Sequence, residues 1–272
     1  MRPLWKGAIS FGLVYVPIKL YAATENKDIR FNYLHEKCKN PVQYQRYCPH
    51  CETEVTMSDI VKGYEYEKGK YVVIKDEDFQ NLPGATARSV DILDFVDLPE
   101  IDPVYFEKAY YLAPGEGGQK VYHLLKTAME QTGKVAVAKI MLRSKPALAV
   151  LRVAGNGTMM MSTMFYPDEV RQADNIAELN YQVDLHDNEL KMAVNLINNL
   201  SSAFNPEKYT NEYRQALMDV IQSKIAGETI EIVSPPKTEK VVDLMSALKA
   251  SIDLAKEERG KNNKPVKRKK TS

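Results

Sequence analysis

The hydrophobic period of this chain changes once along its 272 residues, and that change limits the folds open to it. Between residues 4 and 166 most apolar runs are short and alternate with polar residues, the period of half-buried strands. From residue 187 onward Leu190, Val194, Ile197 and Leu200 recur at helical spacing instead. Strands therefore dominate the first two-thirds and helices the last third. A doubly wound parallel sheet needs regular strand–helix alternation, which is missing. The expected fold class is α+β and strand-dominated, with a barrel or mixed core.

Residues 4–22 read as two strands around Gly12, with Pro17 expected at an edge or strand end because it donates nothing to a ladder. Residues 64–82 read as a hairpin over Lys68-Gly69, followed by a short helix opening near Asp76, whose carboxylate can cap free amides. Further strands are expected at 89–98, 107–114, 135–143, 147–153 and 157–166, with a helix at 119–130 among them. A second amphipathic helix spans 207–227, closed by Gly227. "SPPK" at 234–237 breaks the chain, so residues 234–240 read as a linker. Beyond it, 241–255 carries one apolar stripe on a helix marginal by itself in water, so it must dock on its own core or on a partner. Residues 256–272 read as a basic disordered tail. No internal repeat stands out.

No apolar run approaches the roughly 20 residues of a membrane span, and no apolar segment of a secretory signal follows the basic start. Three cysteines in a chain this long do not make a disulfide framework, so a reducing, cytoplasmic setting is expected. The net charge of +1 conceals a bipolar distribution: +5 over residues 1–50, −10 over 51–260 and +6 over 261–272. Attraction to a polyanion over the whole surface is excluded, and any nucleic-acid contact must use a localised basic face.

"LHEKCKNPVQYQRYCPHC", residues 34–51, gathers all three cysteines and two of the four histidines. His35-x2-Cys38 and Cys48-x2-Cys51 are two close ligand pairs, and together they offer a closed Cys3His set for a structural zinc ion. His50 is a substitute for His35. The alternative is reduced cysteines in a loop, with His35 packed against a neighbour. "LAPGEGGQKVYHLL" imitates a phosphate-binding loop but lacks its spacing, and Val121 follows Lys120 where a hydroxyl should bind magnesium. There is no G-x-S-x-G and no H-E-x-x-H, so no enzyme is expected and no catalytic residue is assigned. The run Met159–Met161 with Met164 reads as core packing. Lys261, Lys264, Lys267, Arg268, Lys269 and Lys270 would add salt-sensitive affinity for nucleic acid through counterion release.

"MRPLWKGAISFGLVYVPIKLYAAT" is similar to the opening of bacterial Ku proteins, the DNA-end-binding factors of non-homologous end joining. "DIVKGYEYEKGKYVVIKDEDF", "EIDPVYFEKAYYLAPGEGGQKVYHLLKTAM" and "GKVAVAKIMLRSKPALAVLRV" resemble successive blocks of that family in order, and the likeness runs to about residue 255. The resemblance implies a Ku-type β-barrel core with a strand-rich arm at about 28–75, C-terminal helices to 233, and a homodimeric ring threaded by double-stranded DNA. It also implies a nucleoid-associated protein. Arg30, Lys37, Lys39, Arg46, Lys62 and Lys70 fall on that arm and are the expected phosphate contacts. The 241–255 helix resembles the segment that engages the multifunctional end-joining ligase, ligase D, with Leu244, Met245, Leu248 and Ile252 as its docking stripe. A zinc-ribbon nucleic-acid-binding or transcription-associated module is the competing reading.

Overall fold

The computed structural model describes residues 1–80, 82, 88–142, 145–227, 248, 249, 251 and 252. In chain order the strands and helices are β1 (Trp5–Phe11), β2 (Val14–Ala22), β3 (Tyr47–Cys48), β4 (Thr53–Glu54), β5 (Lys62–Glu67), β6 (Lys70–Ile74) and α1 (Asp76–Gln80). There follow β7 (Ser89–Val96), β8 (Phe106–Pro114), α2 (Gln119–Thr132), β9 (Val135–Leu142), β10 (Lys145–Val153), β11 (Met159–Met164), α3 (Asp187–Leu200) and α4 (Glu212–Ala226). The chain divides into two compact units, Met1–Gln172 and Ala173–Ser272.

Seven strands of the first unit close into a barrel in the order β1-β2-β8-β11-β10-β9-β7. All neighbours are antiparallel except β1 and β7, whose parallel pairing of Ala8 with Ser89 and Ser10 with Asp91 shuts the seam. Closure removes the unpaired edges that an open sheet would leave. The β1–β2 hairpin turns over Gly12, which sits at φ 60°, where a side chain would be strained. Alternation then sends Ile9, Val16, Ile18 and Leu20 inward to join Val90, Ala138, Ala149, Leu151, Met159 and Met161 in one core. Of the methionine run, Met159 and Met161 are in this core, Met160 between them is half-buried, and Met164 joins a smaller cluster with Val135 and Val150. The strand-dominated α+β class holds, and the barrel is its realised form.

Two glycine positions explain how this core fits. A Cβ on Gly7 would collide with the Trp5 ring and with the Arg88 carbonyl, so the indole occupies the space a side chain would need. Gly115 and Gly118 press on Pro17, at 2.8 Å and 2.9 Å from where their Cβ atoms would stand. The glycine-rich stretch before α2 is therefore a packing device against β2. Pro17 itself lies inside β2 opposite Ala8, but the β2–β8 ladder stops at Ile18 and Pro114. The edge expected for Pro17 is a local one within a closed barrel, and the Gly115 amide donates to the Pro17 carbonyl at 2.7 Å.

Helix α2 closes one barrel mouth. Leu125 and Met129 enter the core, and the Tyr122 hydroxyl donates to the Leu112 carbonyl at 2.7 Å. Burial pushes the Tyr122 phenol above its ordinary range. Gly133, in the left-handed region at φ 67°, ends the helix and lets the chain enter β9. The other mouth opens into a cavity of about 790 Å³ lined by Trp5, Tyr110, Met164 and Phe165 among others.

The arm of the first unit leaves β2 and carries two small ribbons, β3–β4 and β5–β6. In the second unit, α3 and α4 contain no buried residue. Helix α4 starts at Glu212, five residues later than the amphipathic pattern from 207, because Asn211 caps it by accepting from the Arg214 amide at 2.8 Å. A short 3-10 turn, Pro206–Lys208, occupies the difference. Among the described residues no helix is long and apolar enough to cross a membrane.

Candidate nucleic-acid interface

The six arm cations expected to contact phosphate separate into two groups. Lys62 on β5 donates to Asp76 at 2.8 Å and lies 4.9 Å from the Phe79 ring centroid. Its hydrogen bond and charge hold the Asp76 carboxyl below the usual carboxylate range. Lys70 on β6 is paired with Glu67 at 2.6 Å. These two lysines tie the ribbon to itself and to α1, which reduces the charge they offer a phosphate. Arg30, Lys37, Lys39 and Arg46 are all exposed, and among the described residues none forms an ion pair. Sequence spacing does not separate these groups, because the carboxylate partners become neighbours only through strand pairing and the helix turn.

The same four residues flank the cysteine cluster, and here the backbone repeats itself. Leu34 bridges Pro41, and thirteen residues later Tyr47 pairs with Glu54. The Val42 amide donates to the Tyr33 carbonyl at 3.0 Å, and the Val55 amide to the Arg46 carbonyl at 2.9 Å, at the same offset. Each turn then places a non-glycine residue in the left-handed region directly after the second residue of its pair, Cys38 or Cys51: Lys39 at φ 56° and Glu52 at φ 50°. His35 with Cys38, and Cys48 with Cys51, thus occupy equivalent places in two copies of one tight turn. The sequence alone shows this poorly, since the copies share only the two-residue spacing of the pairs, the cysteine that ends each pair and the valine that follows each turn.

Within each copy the two side chains meet. His35 Nδ1 lies 3.2 Å from Cys38 Sγ. The backbone amides of Cys51 and His50 donate to Cys48 and draw its thiol below the ordinary range, with the Cys51 thiol adding a further bond. The same contact raises Cys51. Between the copies the groups stay apart: among the described residues no three His, Cys, Asp or Glu side chains gather closely enough to hold a metal ion. The donor set of three sulfurs and one imidazole suits zinc, and the structure arranges it as two preformed halves. The three cysteines are free thiols, exposed or half-buried.

Of the docking stripe, Leu248 and Ile252 are helical and half-buried, while Leu244 and Met245 lie outside the described residues. The tail cations Lys261, Lys264, Lys267, Arg268, Lys269 and Lys270, and the 234–240 linker, also lie outside them.

Residues 10–192 match the family model described as the Ku70/Ku80 beta-barrel domain, a span covering nearly the whole barrel, the arm and the start of α3. A relative from Symbiobacterium thermophilum, named a non-homologous end joining protein Ku, is 53% identical over 95% of this chain and 64% of its own length. Relatives of the same name from Heliobacterium modesticaldum and Bacillus subtilis are 48% and 47% identical, over 99% and 82% of their own lengths. Barrel topology, arm placement and these likenesses over most of the sequence converge, and the chain belongs to the Ku family.

Proposed function

We propose that two copies of this chain form a ring that a broken DNA duplex threads, so that ends are held without regard to sequence in non-homologous end joining. The observation that carries the reading is apolar surface that a single copy leaves open. Leu190, Val194, Ile197 and Leu200 on α3 are each between 47% and 64% exposed, and Tyr33, Tyr44 and Tyr64 on the arm are exposed as well. Surface of this kind, outside any core, marks an interface, and a second copy supplies it most economically. Basic side chains on the arm then meet sugar-phosphate backbone, which gives affinity and no base readout. Arg30, Lys37, Lys39 and Arg46 carry most of that contact, with Lys62 and Lys70 contributing less because each is already paired. The tail cations add a modest, salt-sensitive share. Retention comes from topology and charge, and the protein acts without catalysis of its own, at the nucleoid.

The two repeated turns hold one structural zinc ion between them when they close, with His35, Cys38, Cys48 and Cys51 as ligands; the ion would stiffen the arm beside the duplex. The stripe of Leu244, Met245, Leu248 and Ile252 docks on the end-joining ligase, ligase D. Deleting 238–272 accordingly leaves the dimer and end binding in place and abolishes ligase stimulation.

Electrophoretic shift of linear against covalently closed duplex of one sequence tests the reading. Stacked complexes on the linear form and none on the circle support threading. Equal affinity for both favours the zinc-ribbon module and ends the ring proposal.

A further inference from the structure

The barrel mouth away from α2 opens into the cavity of about 790 Å³, and every residue lining it belongs to the first unit. Side-chain size falls along the strands that lead there. The inward positions run from Leu20 to Ala22 on β2, from Leu151 through Ala149 to Ala147 on β10, and from Met161 to Thr163 on β11. A barrel of about eight strands has an interior just wide enough for its own side chains to fill, or to hold one small ligand. Here the filling stops short of this mouth, because alanine and threonine stand where leucine and methionine stand deeper in. The volume left falls within the roughly 300–1,000 Å³ of small-molecule sites.

The walls are aromatic and apolar, with Trp5, Tyr110 and Leu142 packed against the barrel core. Thr163, 3% exposed, is the buried polar group. Its Oγ1 donates to Glu107 Oε2 at 3.2 Å and accepts from the Lys108 amide at 3.2 Å. Glu107 Oε1 is paired with Lys108 Nζ at 3.1 Å, and the Glu107 side chain keeps 39% of its surface exposed. A carboxylate has about four lone-pair sites, so these contacts leave acceptor capacity beside the apolar wall. Charge around the mouth cancels, with Glu107 and Glu169 set against Lys108 and Lys145. Glu169 is itself occupied, accepting from the Tyr166 amide at 2.7 Å.

We propose that this mouth binds an uncharged aromatic small molecule carrying one hydroxyl or N–H donor, its ring against Trp5 and Tyr110 and its donor on Glu107. Ring contacts with two aromatic walls favour an aromatic body over an aliphatic one. A hydrogen bond to an ionised acceptor is of the stronger kind and fixes the orientation. The neutral rim offers an ion no net attraction to offset its loss of hydration. None of these residues belongs to the arm, so this site and the duplex reading stand or fall separately.

The test titrates the isotope-labelled full chain with p-cresol and with p-xylene, which has a methyl group in place of the hydroxyl. Trp5 is the single tryptophan, so its indole N–H gives one reporter resonance. p-Cresol should shift that resonance saturably and bind roughly tenfold tighter than p-xylene. p-Toluate and p-methylbenzylamine, charged at neutral pH, should bind more weakly than p-cresol; equal or tighter binding of either would overturn the neutral-ligand assignment. Glu107→Leu should bring p-cresol down to the affinity of p-xylene and leave p-xylene unchanged. Ala147→Leu, which fills the mouth, should abolish both; Ala22→Leu does the same from β2 if the first variant does not fold. No saturable shift in the wild type would overturn the site, as would binding that survives in a folded mouth-filling variant. Equal affinities of p-cresol and p-xylene would overturn the role of Glu107. N-acetyltyrosinamide presents the same phenol in a peptide setting. If it binds more tightly than p-cresol, the mouth takes a tyrosine of a protein segment and the small-molecule assignment fails.

Discussion

Strands β2 and β6 have much the same composition and opposite surroundings. In β2, Val16, Ile18 and Leu20 are at most 1% exposed, whereas Tyr71, Val72 and Val73 in β6 are 62%, 44% and 50% exposed. Both read as strands because β-branched and aromatic residues suit a pleated backbone. Their burial differs because β2 has a neighbour on each side and a closed barrel behind it, while β6 belongs to a two-stranded ribbon whose residues Lys70–Val73 stay exposed. A ribbon of that kind is marginal in water by itself. Apolar residues in the barrel therefore act on the stability of one chain, and under the proposed ring those in the arm and on α3 would act on association.

The largest expected effect is at Gly7. Gly7→Val places a branched side chain where the Trp5 ring and the Arg88 carbonyl already are, and should abolish soluble folded protein, read by expression and circular dichroism. Leu151→Ala, at 0% exposure in the core, should cost about 2–5 kcal/mol in chemical denaturation, while Val73→Ala on the arm should cost less than about 0.5 kcal/mol. Equal costs at the two positions would erase the distinction between the regions.

On α3 the expectation reverses. Ile197→Asp should leave the barrel's denaturation midpoint unchanged and weaken dimerisation by roughly 2 kcal/mol or more, measured by sedimentation equilibrium. Next comes the metal. Purified protein should carry about one zinc per chain, and chelation or Cys48→Ser should speed proteolysis within the arm while the barrel midpoint stays in place; a metal content near zero under non-chelating conditions would remove zinc from the account. The smallest effect is at Asp76. Lys62 lowers its carboxyl below the ordinary 3.8, so the pair's contribution is complete above that pH and disappears as pH falls through the lower folded value. A proton-resonance titration of Asp76 should show the depression, and Lys62→Ala should remove it.

Legibility from sequence follows the same division. Gly12, the hairpin over Lys68-Gly69, the helix opening at Asp76 and the strand ending at Pro114 were all readable, because each depends on local backbone chemistry. Barrel closure was not, since the parallel seam between β1 and β7 joins residues about eighty positions apart and leaves no mark on either strand. The arm cations could be named from their segment, but the pairing of Lys62 with Asp76 arises only when β5 and α1 come together. The repeated turns escaped notice because they repeat backbone geometry more than residue identity.

Encirclement has a direct mechanical test. The protein is loaded on a linear duplex, the ends are ligated into a closed circle, and the complex is challenged with high salt before and after a single restriction cut. An enclosing ring stays on the intact circle at salt that strips it from linear DNA, and is released by the cut. Loss at the same salt from circle and linear duplex alike would mean that the chain grips one side of the DNA and encloses nothing.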